Sequence, residues 1–441
     1  MKKLSIQNVE PTNLIEGNEI ELVGMVQNIR VLSWGAFIVI RTPEYLIQTV
    51  ADSEVKTNII IKDIKIESNL KIHGIIKSAN IKDNALYPRN LEIKLNKIEI
   101  LSEPSEYPLP IDTTKKDFNV NTDLKFNLRP LSLRHPKQRA IFKISSLIYN
   151  EFSNYLTNIG FTRICSPKLV FTGAEGGSNV FEVPYFGKTA YLAQSPQFYK
   201  QIMVGVFGKV FETGSVFRAE KHNTSRHMNE YVSLDLEMQL NNYEDIIQVE
   251  TNLLKYIFDK LKINCANEIN LLEIEIPTIS EITLLTFSEV HNIVFEKFGK
   301  DYRTDLDLAP EEEKLICEYA KKELNTDFVF VTHYPTKKRP FYAMNDPENN
   351  DVTLSFDLLY KGLEITTGGQ RMNKYDEYLE KMKSFNLDPE KFNSYLQTFK
   401  FGMPKHGGLA IGLERLVAQL CNISNVKDCS LFPRDIDRLE P

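Results

Sequence analysis

The stretch FRAEKHNTSRH, Phe217–His227, gathers Arg218, Lys221, His222, Arg226 and His227 around a single acid, Glu220, in a chain of 441 residues whose formal net charge is -6. KVFETGSVF before it and YVSLDLEM after it read as strands, so the stretch forms the loop of an antiparallel hairpin with Arg218 at the strand end. An arginine held there offers a planar fork that fits phosphate oxygens. Composition alone is equally satisfied by a solvated charged turn.

Working outward, LAQSPQFYKQIM (192–203) places Gln197 and Lys200 after Ser195-Pro196, which reads as a capped helix start. TGAEGGSNVF (172–181) is a glycine loop carrying one acid, Glu175. Downstream, TLSFDLLYKGLEITTGGQR reads as two strands meeting at Lys361-Gly362. Its Asp357, Glu364 and Thr367 are hard oxygen donors suited to Mg²⁺. Gly368-Gly369 suggests close approach of a ligand to the backbone. In HGGLAIGLERLVAQL, glycines precede a helix bearing Arg415, a way to hold an anion at a helix N-terminus. Neither a P-loop nor a GxGxxG pattern is matched.

Before the hairpin, apolar residues at Ile141, Ile144, Ile148, Phe152 and Tyr155 predict a helix entered at Pro136, followed by a strand interrupted by Pro167. Helices are expected at 241–260, 281–299, 309–324 and 374–400. Strands interleaved with helices give an α+β domain over residues 131–441, built on an antiparallel sheet with flanking helices. Residues 1–103 read as β, with EIELVGMVQNI, AFIVI, YLIQTV, NIIIKDIKI, LKIHGII and LEIKLNKIEI as short strands, which suits a small closed barrel such as an OB-fold. SEPSEYPLPIDTTKK marks a linker over 104–130.

Hydrophobic content of 42% and charged content of 25% suit a folded chain with a large core. Five cysteines without a CxxC pair, no apolar leader and no membrane-length apolar run lead us to expect a reduced cytoplasmic protein. The acidic balance argues against histone-like binding and leaves local phosphate recognition open.

In combination and in this order, these motifs resemble the class II aminoacyl-tRNA synthetases, in particular the aspartyl enzymes of archaeal and eukaryotic type. The helix after Pro136 with GFTRICSPKLV is similar to the first class II motif, FRAEKHNTSRH to the second and GLERL to the third. SPQFYKQ, LEITTGGQR and LFPRDIDRLEP resemble signatures of the aspartate enzymes. The resemblance implies ATP-dependent formation of aspartyl-adenylate and transfer to the 3′ end of tRNA(Asp). Arg218 and Arg415 would serve as catalytic residues, holding the α- and γ-phosphates. Glu220, His227, Glu364 and Gly412 would complete the ATP site. Asp357, Glu364 and Thr367 would surround Mg²⁺. Lys200 and Arg371 would pair with the side-chain carboxylate of aspartate, with Gln197, Asp235, Thr367 and a lid carrying Glu175 around the rest. Arg30, Phe37 and Gln48 would meet the anticodon, and Pro167 would lie in a homodimer interface.

Two positions depart from the family pattern: Met25 replaces a common tryptophan, and Gln27 stands where tryptophan or histidine is usual. The second choice is tied to whether tRNA(Asn) is also charged, which the sequence leaves open. The rival readings are an asparaginyl-tRNA synthetase and a synthetase-like paralogue that activates an amino acid for another purpose or binds RNA without charging it.

Overall fold

The computed structural model describes residues 14–57, 60–171, 179–279 and 281–440. The chain divides into two compact units, Met1–Ala140 and Ile141–Pro441.

In the first unit, strands β1 (Glu19–Leu32), β2 (Gly35–Arg41), β3 (Leu46–Asp52), β4 (Asn69–Ser78) and β5 (Leu91–Ser102) close a barrel. The order is β3-β2-β1-β4-β5, and a parallel β3–β5 pairing at Thr49↔Ile93 shuts it. This is the OB-fold-like barrel expected. Alternation is clean on β2, where Ala36, Ile38 and Ile40 enter the core and Phe37 and Val39 stay on the outer side. The described part of NIIIKDIKI is not a strand: it makes one 3₁₀ turn, Ile61–Asp63, and only Ile64 of its described isoleucines is buried. A bulge in β1 leaves Gln27 without a cross-strand partner on β2 and turns it inward. There the Gln27 Nε2 donates to the Thr113 carbonyl at 2.8 Å, and its Oε1 accepts from the Arg41 Nη1 at 2.8 Å. Arg41 also forks onto Glu67, which Arg134 reaches at 2.9 Å. The segment that follows the barrel is therefore bonded to it at Gln27, through Thr113, and at Glu67, through Arg134.

The second unit is built on an eight-stranded sheet. Its strands are β6 (Thr162–Arg163), β7 (Lys209–Phe217), β8 (Glu230–Gln239), β9 (Thr283–Thr286), β10 (Phe328–Thr332), β11 (Ser355–Tyr360), β12 (Leu363–Arg371) and β13 (His406–Gly412). They run in the order β9-β10-β11-β12-β13-β8-β7-β6, antiparallel from β10 to β7 and parallel at both outer pairs. One face packs on helices α1 (Pro136–Asn158) and α3 (Glu244–Asn264), with Ile144, Ile148, Phe152, Leu253, Leu254 and Phe258 in its main core. The other face, beside helix α2 (Gln197–Phe207), carries the site. The expected helix over 374–400 is broken: Tyr375–Ser384 is closed by Asn386 in the left-handed region, and a 3₁₀ turn at Pro389–Phe392 precedes a second helix, Asn393–Lys400. The cap of α2 is Pro196 itself, without a side-chain bond from Ser195.

Among the described residues no helix is long and apolar enough to cross a membrane. All five cysteines are free thiols.

Candidate functional site

The β7–β8 hairpin, the β11–β12–β13 face and the first turn of α2 meet around a cavity of about 80 Å³. Gln197, Lys200, Arg218, Thr367 and Arg371 line it, together with Ser233, Arg339 and Tyr342. Its floor is a cluster of four buried charges. The Lys200 Nζ reaches Asp235 at 3.0 Å, Glu237 at 3.4 Å and the Leu409 carbonyl at 3.0 Å. The Arg371 Nε donates to the Glu237 Oε1 at 2.9 Å, and its Nη2 donates to Glu237 at 3.4 Å and to the Gly408 carbonyl at 3.0 Å. Burial pushes the Glu237 carboxyl up, yet the charges of Arg371 and Lys200 outweigh it and its pKa ends below the ordinary value. The nearby His406 ring is kept neutral by burial. Two cations thus balance two anions, and both cations share Glu237. The Gln197 Nε2 is buried and meets no acceptor among the described residues.

Beside the cavity, Asp357 and Thr367 are directly opposed across β11 and β12. A bulge leaves Ile365 outside the β11–β12 pairing. Ile365 joins the helix-packed core, so Glu364 returns to the face of Thr367. The Thr367 hydroxyl donates to the Glu364 Oε1 at 3.0 Å, and the Arg415 Nη1 reaches the same oxygen at 3.3 Å. Arg339 pairs with the Asp357 Oδ2 at 2.6 Å, leaving Oδ1 buried without a hydrogen-bond partner. Burial, opposed by Arg339 and aided by Glu364, raises the Asp357 pKa to about 6. An orphaned carboxylate oxygen, a second carboxylate and an exposed hydroxyl fit a hard divalent cation that keeps water or phosphate oxygens in its remaining positions.

Arg218 follows the last residue of β7, with its guanidinium 5.9 Å from the Tyr231 ring centre. Asn229 closes the loop by bonding the Arg218 and Glu220 carbonyls at 2.7 and 3.1 Å. His227 and Glu220 approach to 3.7 Å. Burial, then Arg415 and Arg226, hold the His227 ring below its ordinary pKa despite Glu220. Arg226 pairs with Glu313 of helix α5 (Pro310–Glu323), counting Phe287–Phe298 as α4. Burial lifts the Glu313 pKa to about 7, against the pull of Arg226.

The structure therefore brings Arg218, Glu220, His227, Glu364, Arg415, Asp357, Thr367, Gln197, Lys200, Asp235 and Arg371 to one face of one unit. Glu175 lies outside the described residues. The glycines act differently from the sequence reading. Gly407 and Gly408 lie within β13, not at a helix start, and a Cβ on Gly408 would sit 2.1 Å from the Leu236 carbonyl and 2.2 Å from Glu237. A Cβ on Gly368 would meet the Phe356 ring at 2.4 Å, and the same glycine lines the cavity, so it serves strand packing beside the site. Gly412 caps helix α6 (Leu413–Leu420), and a Cβ there would make only ordinary contact with Arg415. Sequence reasoning missed Glu237, Arg339, Tyr342 and Glu313. Glu237 was within reach, since it shares a face with Asp235 at period two. Glu313 resembled an ordinary acidic first turn, and Arg339 stood in a loop without periodicity.

On the barrel, Arg30 and Phe37 are cross-strand partners on β1 and β2, and Gln48 opposes Val39 on the same outer face. Phe37 is half-buried with its ring 5.6 Å from Trp34, and the Gln48 Nε2 donates to Glu92 at 2.7 Å.

A family model for class II tRNA synthetases (D, K and N) matches residues 121–436. The chain is 42% identical over 96% of its length to 97% of an Aspartate--tRNA(Asp/Asn) ligase of Thermus thermophilus. It is 36% identical to an Aspartate--tRNA(Asp) ligase of Pyrococcus furiosus, covering 98% of both chains. Among solved structures, asparaginyl-tRNA synthetase from Pyrococcus horikoshii complexed with asparaginyl-adenylate superposes with a TM-score of 0.88 at 28% identity, over 99% of this chain and 100% of that one. Aspartyl tRNA synthetase from Entamoeba histolytica gives 0.84 at 29% identity, over 100% and 94%.

Proposed function

Because the chain belongs to the class II aminoacyl-tRNA synthetases of the aspartate, lysine and asparagine group, we propose that it is an aspartate–tRNA ligase. It joins L-aspartate to ATP as aspartyl-adenylate, then passes the aspartyl group to the 3′ end of tRNA(Asp). The observation that carries the choice of amino acid is the donor-only pair Lys200 and Arg371 on the cavity wall. A carboxylate accepts from the donors that Arg371 keeps beyond its bonds to Glu237 and Gly408, beside the charge of Lys200, whereas the amide nitrogen of asparagine would set donors against donors. The relatives at 42% and 36% identity being aspartate–tRNA ligases supports the same choice.

No general base is needed in the first step, because the α-carboxylate of aspartate is already the nucleophile. It attacks the α-phosphorus of ATP, the bond to the β-phosphate oxygen breaks and pyrophosphate leaves. Arg218 meets the charge that grows on the α-phosphate, and Arg415 holds the γ end with His227 as a neutral partner. Glu220 contacts the adenine side. Asp235 and Gln197 hold the α-amino group. Asp357 through its orphaned Oδ1, Glu364 and Thr367 would hold Mg²⁺, which when bound supplies charge to the phosphates.

The domain limits proposed are 1–103 for the anticodon barrel, 104–130 for the connection and 131–441 for catalysis. In the barrel, Phe37 stacks on an anticodon base, Gln48 reads a base edge and Arg30 takes the backbone. A homodimer forms around exposed Pro167, supported by Leu169 and Phe171, exposed at 45% and 74%. The free thiols suit the cytoplasm. ATP–pyrophosphate exchange tests the proposal: it runs with aspartate and not with asparagine, and the reverse result would overturn it. Aminoacylation of purified tRNA(Asp) and tRNA(Asn) with aspartate decides whether both are charged.

A further inference from the structure

We propose that Glu313 is a positioning residue for the nucleotide end of the site, holding Arg226 against the face that carries Glu364 and Arg415; this rests on the adenylating reading above. The loop 221–227 is tied to the rest of the unit at two separate places. At one, the Arg226 Nη2 pairs with the Glu313 Oε2. At the other, Asn223 donates to Asp437 at 2.6 Å and accepts from the Lys427 ammonium, while the Ser225 carbonyl accepts from the Val426 N–H at 2.9 Å. Between the ties the Thr224 hydroxyl meets the His227 Nδ1 at 2.7 Å. The loop is thereby sorted: Arg226 and His227 are turned inward and half-buried, and Lys221 and His222 face solvent.

The Arg226–Glu313 pair differs from a surface ion pair. The two side chains are 25% and 10% exposed, so water screens the pair little. Glu313 also lies within electrostatic reach of Glu364 and Arg415. Two arginines and two carboxylates share this face, and the anions restrain the cations without neutralising their remaining donors. An arginine held through one N–H keeps others for a second anion. A fork placed beforehand loses less freedom when a polyphosphate arrives. Helix α5 thus contributes to the nucleotide site a residue that needs no contact with the nucleotide.

The test is a double-mutant cycle read in ATP–pyrophosphate exchange, on the full-length protein, with Glu313→Ala, Arg226→Ala and the pair together. Glu313→Ala is expected to raise KM for ATP and for pyrophosphate roughly tenfold while KM for aspartate stays within about twofold. The double variant should be no worse than the worse single one. Glu313→Gln, which keeps the size and one acceptor, should recover part of the loss, and it stands in if the alanine variant fails to fold. Multiplying effects in the double variant would overturn the assignment, as would an equal rise in KM for aspartate. Exchange by the wild type with unchanged KM for ATP in the variants overturns this assignment alone. No exchange by the wild type overturns the adenylating reading and the assignment with it.

Discussion

Replacing Glu237 by glutamine removes one charge from the floor of the cavity and almost no volume. In the native cluster Lys200 and Arg371 balance Asp235 and Glu237, and all four side chains are buried. Glutamine keeps an acceptor for one of the Arg371 bonds, now 2.9 and 3.4 Å. The anion shared by both cations is lost, and a net positive charge stays out of water. Breaking a buried pair from one side costs about 3–5 kcal/mol, and the retained acceptor places this variant near 3 kcal/mol. That shifts the folded-to-unfolded ratio on the order of a hundredfold and Tm by roughly 5 °C in a unit of this size. The sign with pH follows from the direction of the Glu237 shift. Its folded pKa lies below the ordinary 4.5, so its contribution is full above that pH and fades as the pH falls through the folded value. Thermal unfolding at a series of pH values should show a gap between wild type and variant that is wide at neutrality and narrows in acid. KM for aspartate should change as well, because Arg371 loses the partner that aims it. A variant melting within about 1 °C of the wild type at neutral pH would refute the reasoning, and so would a gap that stays constant as the pH falls below 4.5.

Other outcomes follow from single contacts. Glu250, fully buried on α3, has a pKa raised by burial from 4.5 to about 8, so folding is disfavoured progressively as pH rises through that window. Glu250→Gln should therefore stabilise the protein at pH 8 more than at pH 5, by up to about 3 kcal/mol at neutrality on a scale of 1.36 kcal/mol per unit; equal melting shifts at both pH values would contradict the assignment. Arg218→Ala should slow exchange by roughly 10²–10³-fold, as loss of a transition-state charge partner does, and near-normal exchange would remove it from the phosphate role. Gly408→Ala drives a methyl into the Leu236 carbonyl and Glu237, and should cost about 1–3 kcal/mol in urea unfolding with KM for aspartate raised; a neutral variant would show that β13 yields. Gln48→Ala should lower tRNA charging roughly tenfold through a lost base contact and leave exchange intact, so an equal loss in both would point away from the barrel face.

The hairpin was legible because YVSLDLEM alternates apolar and polar residues and KVFETGSVF stands just before the charged loop. KVFETGSVF and YVSLDLEM delivered a hairpin with Arg218 where it was expected, and AFIVI delivered a barrel strand with Phe37 on the outer side. Periodicity fails where the signal depends on what lies across the sheet. The glycines of TTGG and HGG read as openings for a ligand; Gly368 does line the cavity, while the space a side chain would take at Gly368 and Gly408 is filled by the Phe356 ring and a neighbouring strand. Gln27 sits on a strand that reads as ordinary, and only the bulge turns it inward to the Thr113 carbonyl. Arg339 and Glu313 reach the site from a loop and from a distant helix, and no local pattern announces contacts made over such separations.

The unpaired Ile365 has a consequence for how this site tolerates change. A strand written with strict alternation would send Glu364 and Thr367, three positions apart, to opposite sides of the sheet. One spare isoleucine, itself committed to the core, lets them share an oxygen contact. Excising that single codon would leave Glu364 and Thr367 two positions apart on a regular strand, still on one side of the sheet without any bulge, and the loss would fall on the core, which gives up one isoleucine.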